Sequence, residues 1–294
     1  MMTRAAWRCT GLRWGDATPV LVWEGGRRSA LPRGKRVAFG VVKGRVRTCV
    51  GARGHACPVR AEISGRSTGA RCDACARLDR AHSVAADTVA DDPRPYHVYL
   101  AWFGPGMVKV GITAVERGSA RLLEQGAVCF SWLGCGPLMA ARRTEEVLRA
   151  ALRVPDRIPY ADKRAVRAAL PEAGERGAEL VELHARAVAL DGWPESLERL
   201  PCRPVDHHEV FGLAGLPGVD GAVSELVAGG AVGGEVLAVA GPDLHLATEG
   251  GAVVLDTRLM TGWELTAAEG AGREVLTVPV RWMRSSGGVQ DELF

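Results

Sequence analysis

The chain has 294 residues, 47% of them hydrophobic and 24% charged, enough for about two domains of ordinary size. No apolar run approaches the roughly 18–20 residues of a bilayer-spanning helix, and the opening MMTRAAWRCTGLRWGD lacks the apolar stretch of an export signal, so a cytoplasmic protein with no membrane partner is expected. The net charge of +3 hides a gradient: residues 1–80 carry 17 Lys/Arg against 5 Asp/Glu, and residues 211–294 carry 4 against 11, so the basic end points to a nucleic acid or another polyanion.

The first stretch, VLVWEGG and KRVAFGVVKGRVRTC, is rich in β-branched residues broken by glycine and shows no helical period, so short strands are expected up to about residue 48. Four of the eight cysteines then fall within 27 residues. Cys72-Asp-Ala-Cys75 is a knuckle whose two sulfurs reach one tetrahedral ion, and Cys49 and Cys57 lie upstream, with His55 as an alternative to either. Without an export signal, clustered cysteines read as a metal site rather than disulfides, and a closed set of four thiolates makes a structural Zn²⁺ the expected ion. Arg45, Arg47, Arg53, Arg60, Arg66, Arg71, Arg77 and Arg80 surround it, as a basic loop that presents guanidiniums to phosphates would require. Cys9, Cys129, Cys135 and Cys202 read as small apolar fillers.

AADTVADDPRPY, ending at Tyr96, reads as a linker. Beyond it VYLAWF and MVKVGIT alternate with the period of half-buried strands and are joined by Gly104-Pro105-Gly106, which is hairpin punctuation. That hairpin brings Tyr99, Lys109 and Gly111 together, with Arg121 one short element later: a phenol, an ammonium, bare backbone and a guanidinium suited to an anionic substrate. AVCFSWLG is a further strand. Pro137 opens an amphipathic helix through MAARRTEEVLRAALRV, and the helical stretch from Ala161 to Leu190 is interrupted at Pro171. From about Val205 short apolar runs alternate with Gly-rich turns, which reads as a small β-rich tail. His207-His208-Glu209 is expected to be loop rather than ligand.

VYL, then KVGIT with Lys109 ten residues after Tyr99, then an arginine and a later helical glutamate, resembles the GIY-YIG nuclease superfamily over roughly residues 96–160. The longer string, from the cysteines through VYLAWFG, KVGIT and RLLEQGA, is also similar to an uncharacterised bacterial domain family. The first resemblance places Tyr99 at the tyrosine of the first motif and His97 where its glycine would be. Lys109 stands at the second motif's tyrosine, Gly111 at its glycine, and Arg121 at the helical arginine that contacts the scissile phosphate. It implies a single Mg²⁺ or Mn²⁺ held by a helical glutamate, Glu145 or Glu146, of which Glu145 shares a half-buried face with Ala141 and Leu148. It also implies Tyr99 as a general base of lowered pKa, helped by Lys109.

The expected architecture is therefore α+β in three parts: a basic β-rich zinc module over residues 1–92, a GIY-YIG-like mixed sheet with helices over 93–200, and a small β-rich domain over 201–294. The expected activity is metal-dependent phosphodiester hydrolysis on DNA or RNA. The alternative is a non-catalytic nucleic-acid-binding protein of the same fold.

Overall fold

The structure is a computed structural model that describes residues 5–15, 17–81, 92–155, 157–268 and 274–283. Residues 85–91 of the expected linker lie outside the described residues. Strands β1 (Trp7–Gly15), β2 (Thr18–Trp23) and β3 (Arg28–Ala30) form an antiparallel meander, followed by β4 (Arg36–Val41). The cysteine-bearing loop leads into α1 (Asp73–Ala81). Next come β5 (Pro95–Trp102), β6 (Val108–Ala114), α2 (Ala120–Gln125), β7 (Cys129–Pro137) and α3 (Leu138–Leu152). They are followed by α4 (Tyr160–Val166) and α5 (Ala173–Val188). The remainder holds β8 (Glu198–Arg199), β9 (Val205–Asp206), α6 (His208–Phe211), β10 (Gly221–Val223), β11 (Ala231–Ala240), β12 (Asp243–Thr248), β13 (Gly251–Asp256), β14 (Glu264–Ala267), β15 (Val275–Leu276) and β16 (Val280–Trp282). The mixed α+β class is as expected. Among the described residues no helix is long and apolar enough to cross a membrane.

The smaller sheet runs β6-β5-β7, with β8 and β9 pairing separate stretches of β7. Its hairpin is the expected one: Tyr96 opposes Ala114, Tyr99 opposes Gly111 and Ala101 opposes Lys109. Period-two alternation gives each face its own core. Val98, Leu100 and Trp102 join the large apolar cluster that includes Ala141 and Leu148 of α3 and Leu180 and Leu183 of α5. Tyr99, Ala101 and Phe103 pack instead with Leu122 of α2, Phe130 and Ile158. Pro137 precedes α3, and Pro171 sits between α4 and α5 because a ring nitrogen has no hydrogen to donate and its bulk obstructs a preceding helical turn.

The larger sheet runs β16-β10-β13-β12-β11-β4-β14-β1-β2-β3. Strands from the two ends of the sequence alternate in it: β4 lies between β11 and β14, and β14 pairs β1. Buried ion pairs tie this sheet to the helical layer. Arg164 and Arg167 reach Asp243, Arg164 also reaches Asp256 at 2.9 Å, and Asp243 is 0% exposed. The Asp243 carboxyl is held below its usual range: burial acts against the charge, and the Arg167 and Arg164 guanidiniums outweigh it.

Candidate functional site

The hairpin positions the first group of functional candidates. Tyr99 is 2% exposed, and its ring lies across Gly111, where a Cβ would come 2.4 Å from the phenolic oxygen. Only glycine leaves room for that ring. Gln125, near the end of α2, donates from Nε2 to the Tyr99 oxygen at 2.9 Å. Arg121 lies one helical turn before Gln125, so both share a face of α2, and its charge also acts on the Tyr99 hydroxyl. Glu145 of α3 acts on the same hydroxyl with the opposite sign. The charges of Arg121, from α2, and Glu145, from α3, therefore both act on the Tyr99 hydroxyl. Glu145 is half-buried and Glu146 exposed, which matches the face expected for each.

The direction of the Tyr99 shift corrects the expectation drawn from the resemblance. Burial raises the phenol's pKa above its ordinary value, and the Gln125 hydrogen bond and the Arg121 charge oppose it only in part. Lys109 shares the Tyr99 face through its pairing with Ala101, and its charge bears on Lys163 of α4. His97, in the place of a motif glycine, stacks on Trp132 with ring centroids 4.3 Å apart.

Lys163 was not expected from the sequence. It is 4% exposed, donates to the Gln125 carbonyl oxygen at 3.0 Å, and places its ammonium 3.8 Å from the Phe103 ring centroid and 4.4 Å from that of Tyr160. Burial pushes its pKa down to about 7, with the Arg167 and Lys109 charges adding to the effect. The spacing Tyr160, Lys163, Arg167 would mark one helical face, but two cations and a phenol resemble a solvated face in sequence. Gln125 carried no comparable signal, because its role depends on a tyrosine 26 positions away.

Arg121 is exposed, 3.8 Å from Glu124, and opens onto a cleft of about 390 Å³. Tyr160 and Arg258 line the same cleft, with the Arg258 guanidinium 4.3 Å from the Tyr160 ring centroid.

The cysteine loop forms the second candidate site. The Sγ atoms of Cys49, Cys57, Cys72 and Cys75 all lie within 4.8 Å of one another, with Cys57 and Cys72 at 4.0 Å. A tetrahedral ion with sulfur at about 2.3 Å requires separations of about 3.8 Å, so the set is close to ligating geometry. Backbone N–H groups of Gly51 and Cys72 point at the Cys49 sulfur at 3.3 and 3.2 Å. Hydrogen bonding from the Ala61 backbone, against the effect of burial, lowers the Cys57 pKa and so favours its thiolate. His55 is exposed and lies outside this group, so the sulfurs form the ligand set without it. The loop has almost no other core: Ala52, Ala61 and Ile63 are its apolar companions.

The surrounding arginines divide into two kinds. Arg47 is 1% exposed and donates to the carbonyls of Thr261, Ser64, Ser67 and Arg258, so it fastens the loop to the large sheet and cannot meet a phosphate. This corrects its expected place among the presented guanidiniums. The rest are exposed: Arg45, Arg66 and Arg71 pair with Glu264, Glu225 and Asp79, and Arg53, Arg60, Arg77 and Arg80 complete the set. His207 is buried, with Nδ1 2.9 Å from the Ala127 carbonyl oxygen, and His208 and Glu209 open helix α6 where a loop is expected.

The sequence model of one protein family, described as protein of unknown function (DUF2797), matches residues 34–265, a span that holds both candidate sites. No curated protein and no solved structure matches the chain.

Proposed function

Because the chain belongs to the DUF2797 family, whose description carries no activity, we propose a function from the geometry: phosphodiester hydrolysis on DNA or RNA by a GIY-YIG-like hairpin site. The observation that supports this reading is that the charges of Arg121 and Glu145 both act on the hydroxyl of Tyr99, which the hairpin buries beside Gln125. Arg121, exposed on the cleft, neutralises charge that builds on the phosphoryl oxygens. Glu145 would hold Mg²⁺ or Mn²⁺; such hard ions are commonly bound by one or two carboxylates, with water and phosphate oxygens completing the shell. When bound, the ion polarises the phosphate and stabilises the leaving oxygen. Burial raises the Tyr99 pKa, so the contribution of its hydroxyl in this reading is to accept from and hold Gln125 on the face of α2 that carries Arg121. The four cysteines would hold Zn²⁺. A closed four-thiolate set leaves no open coordination position, so that ion serves structure alone.

Cleavage of labelled DNA and RNA with Mg²⁺ or Mn²⁺ tests this reading. Arg121→Ala and Glu145→Gln are each expected to lower the rate by about 100-fold or more with unchanged melting temperature. Undiminished cleavage by either variant removes the chemistry from this corner. Binding without turnover is the second reading, favoured by Lys109 at the motif tyrosine and by the burial of Tyr99. It predicts no cleavage with either ion, and affinity that falls steeply between about 50 and 200 mM salt.

A further inference from the structure

The cleft beside Arg121 carries more positive charge than the hydrolytic corner uses. Val50 and Thr68–Arg71 of the cysteine loop line part of it, and β1, α2 and α4 contribute much of the remainder. Four arginines line it, Arg13, Arg71, Arg121 and Arg258; Glu124 is the carboxylate in the lining, and Asp79 and Asp256, outside it, pair with Arg71 and Arg258. Arg71 is aimed by the Gly51 carbonyl oxygen at 2.9 Å and by Asp79, and Arg258 by Asp256. Arg13 is exposed, and its hydrogen bond among the described residues is to the adjoining Leu12 carbonyl at 3.3 Å.

The β1 wall of the cleft is irregular. The register of β1 on β2 shifts between Cys9 and Gly11, and bulges of this kind recur beside functional sites. Gly11 at this bulge has φ +132°, a backbone conformation that side-chain-bearing residues rarely adopt, so glycine fixes the course of β1 along the cleft. The lining offers no open aromatic face. Trp14 is 6% exposed with its indole N–H donated to the Gly241 carbonyl, and the Tyr160 ring is covered by Lys163 and Arg258.

We propose that this cleft is the track for one phosphodiester strand, gripped by its phosphates rather than its bases, with the cysteine loop as one wall. The volume is that of a small-ligand site, room for a nucleotide or two of backbone, and a duplex whose major groove alone is about 12 Å wide cannot enter it. Without a stacking platform the bases contribute little, so recognition is indifferent to sequence. The proposal rests on the nucleic-acid reading above but not on hydrolysis.

The test is fluorescence anisotropy with the metal-loaded full chain and no added Mg²⁺ or Mn²⁺. The probes are a 15-nucleotide oligo-dT, oligo-dA of the same length and their duplex, with dTMP as competitor. The single strands are expected to bind at least about tenfold tighter than the duplex and within about threefold of each other. Arg13→Ala is expected to weaken single-strand binding about five- to tenfold and to reduce the slope of log K against log salt by about 0.7, with zinc content and melting temperature unchanged. Native-like binding by Arg13→Ala, equal affinity for duplex, or a marked preference between the two oligomers overturns the proposal. Displacement by dTMP at concentrations equal to the oligomer also overturns it, in favour of a free-nucleotide site. If Arg13→Ala weakens binding in a protein that cuts nothing, the track stands and hydrolysis falls. If the protein cuts in a Glu145-dependent manner while Arg13→Ala binds normally, hydrolysis stands and the track falls.

Discussion

Lys163 sits in an environment that a lysine rarely tolerates. Its ammonium sits under two aromatic rings, with the Gln125 carbonyl as its acceptor. With the folded pKa near 7 and the unfolded value near 10.4, the unfolded chain binds more protons through this window, so stability rises with pH between them. The penalty for the buried charge is fully present below about pH 7 and fades above it. Lys163→Met keeps the volume and removes the charge, so its melting temperature should exceed that of the native chain most at pH 6–7, and the gap should shrink by pH 9. A gap that stays constant from pH 6 to 9 shows that Lys163 does not titrate in this window. Thermal scans at matched ionic strength measure it.

The cysteine loop shows how an element can fold with little apolar core. Its buried apolar cluster is Cys49, Ala52, Cys57 and Cys75, and the half-buried Ala61 and Ile63 add little area. A loop so constructed depends on an ion for its stability, as small metal-stapled modules do. Stripping the protein with a strong chelator is expected to release one Zn²⁺ per chain and to abolish amide protection across Cys49–Ala81, while β5 and β7 stay protected. Hydrogen exchange read by mass spectrometry checks both halves; full protection of the loop after metal loss overturns the structural role. The sequence showed this element well, because CxxC spacing is a local pattern. The hairpin was equally legible, through alternation and Gly104-Pro105-Gly106. Arg47 was not: its neighbours in the chain are exposed or loop residues, and its burial is decided by carbonyls more than 200 positions away.

The two ends of the chain are interleaved in one sheet, and the helical layer is bolted to it by Arg164, Arg167, Asp243 and Asp256. A sequence read in windows divides this chain into consecutive parts, because strand pairing across some 190 positions leaves no periodic trace. Removing the charge at the centre of the bolts should be felt by the whole fold. Asp243→Asn leaves Arg164 and Arg167 buried with a neutral partner, and a loss of about 3–5 kcal/mol is expected. An unfolding free energy from urea denaturation that falls by less than about a tenth of that amount shows that the pairs do not hold the layers together.

The seat of β4 between β11 and β14 also sets a timetable for synthesis. Val41 leaves the ribosome long before Ala231 exists, and at ordinary elongation rates its sheet neighbours arrive roughly 10–40 s later. During that interval β4 has exposed edges and a strand's pairing capacity with no legitimate partner, a state prone to association with other nascent chains. The basic first third, poor in carboxylates, keeps such chains mutually repelled while they wait.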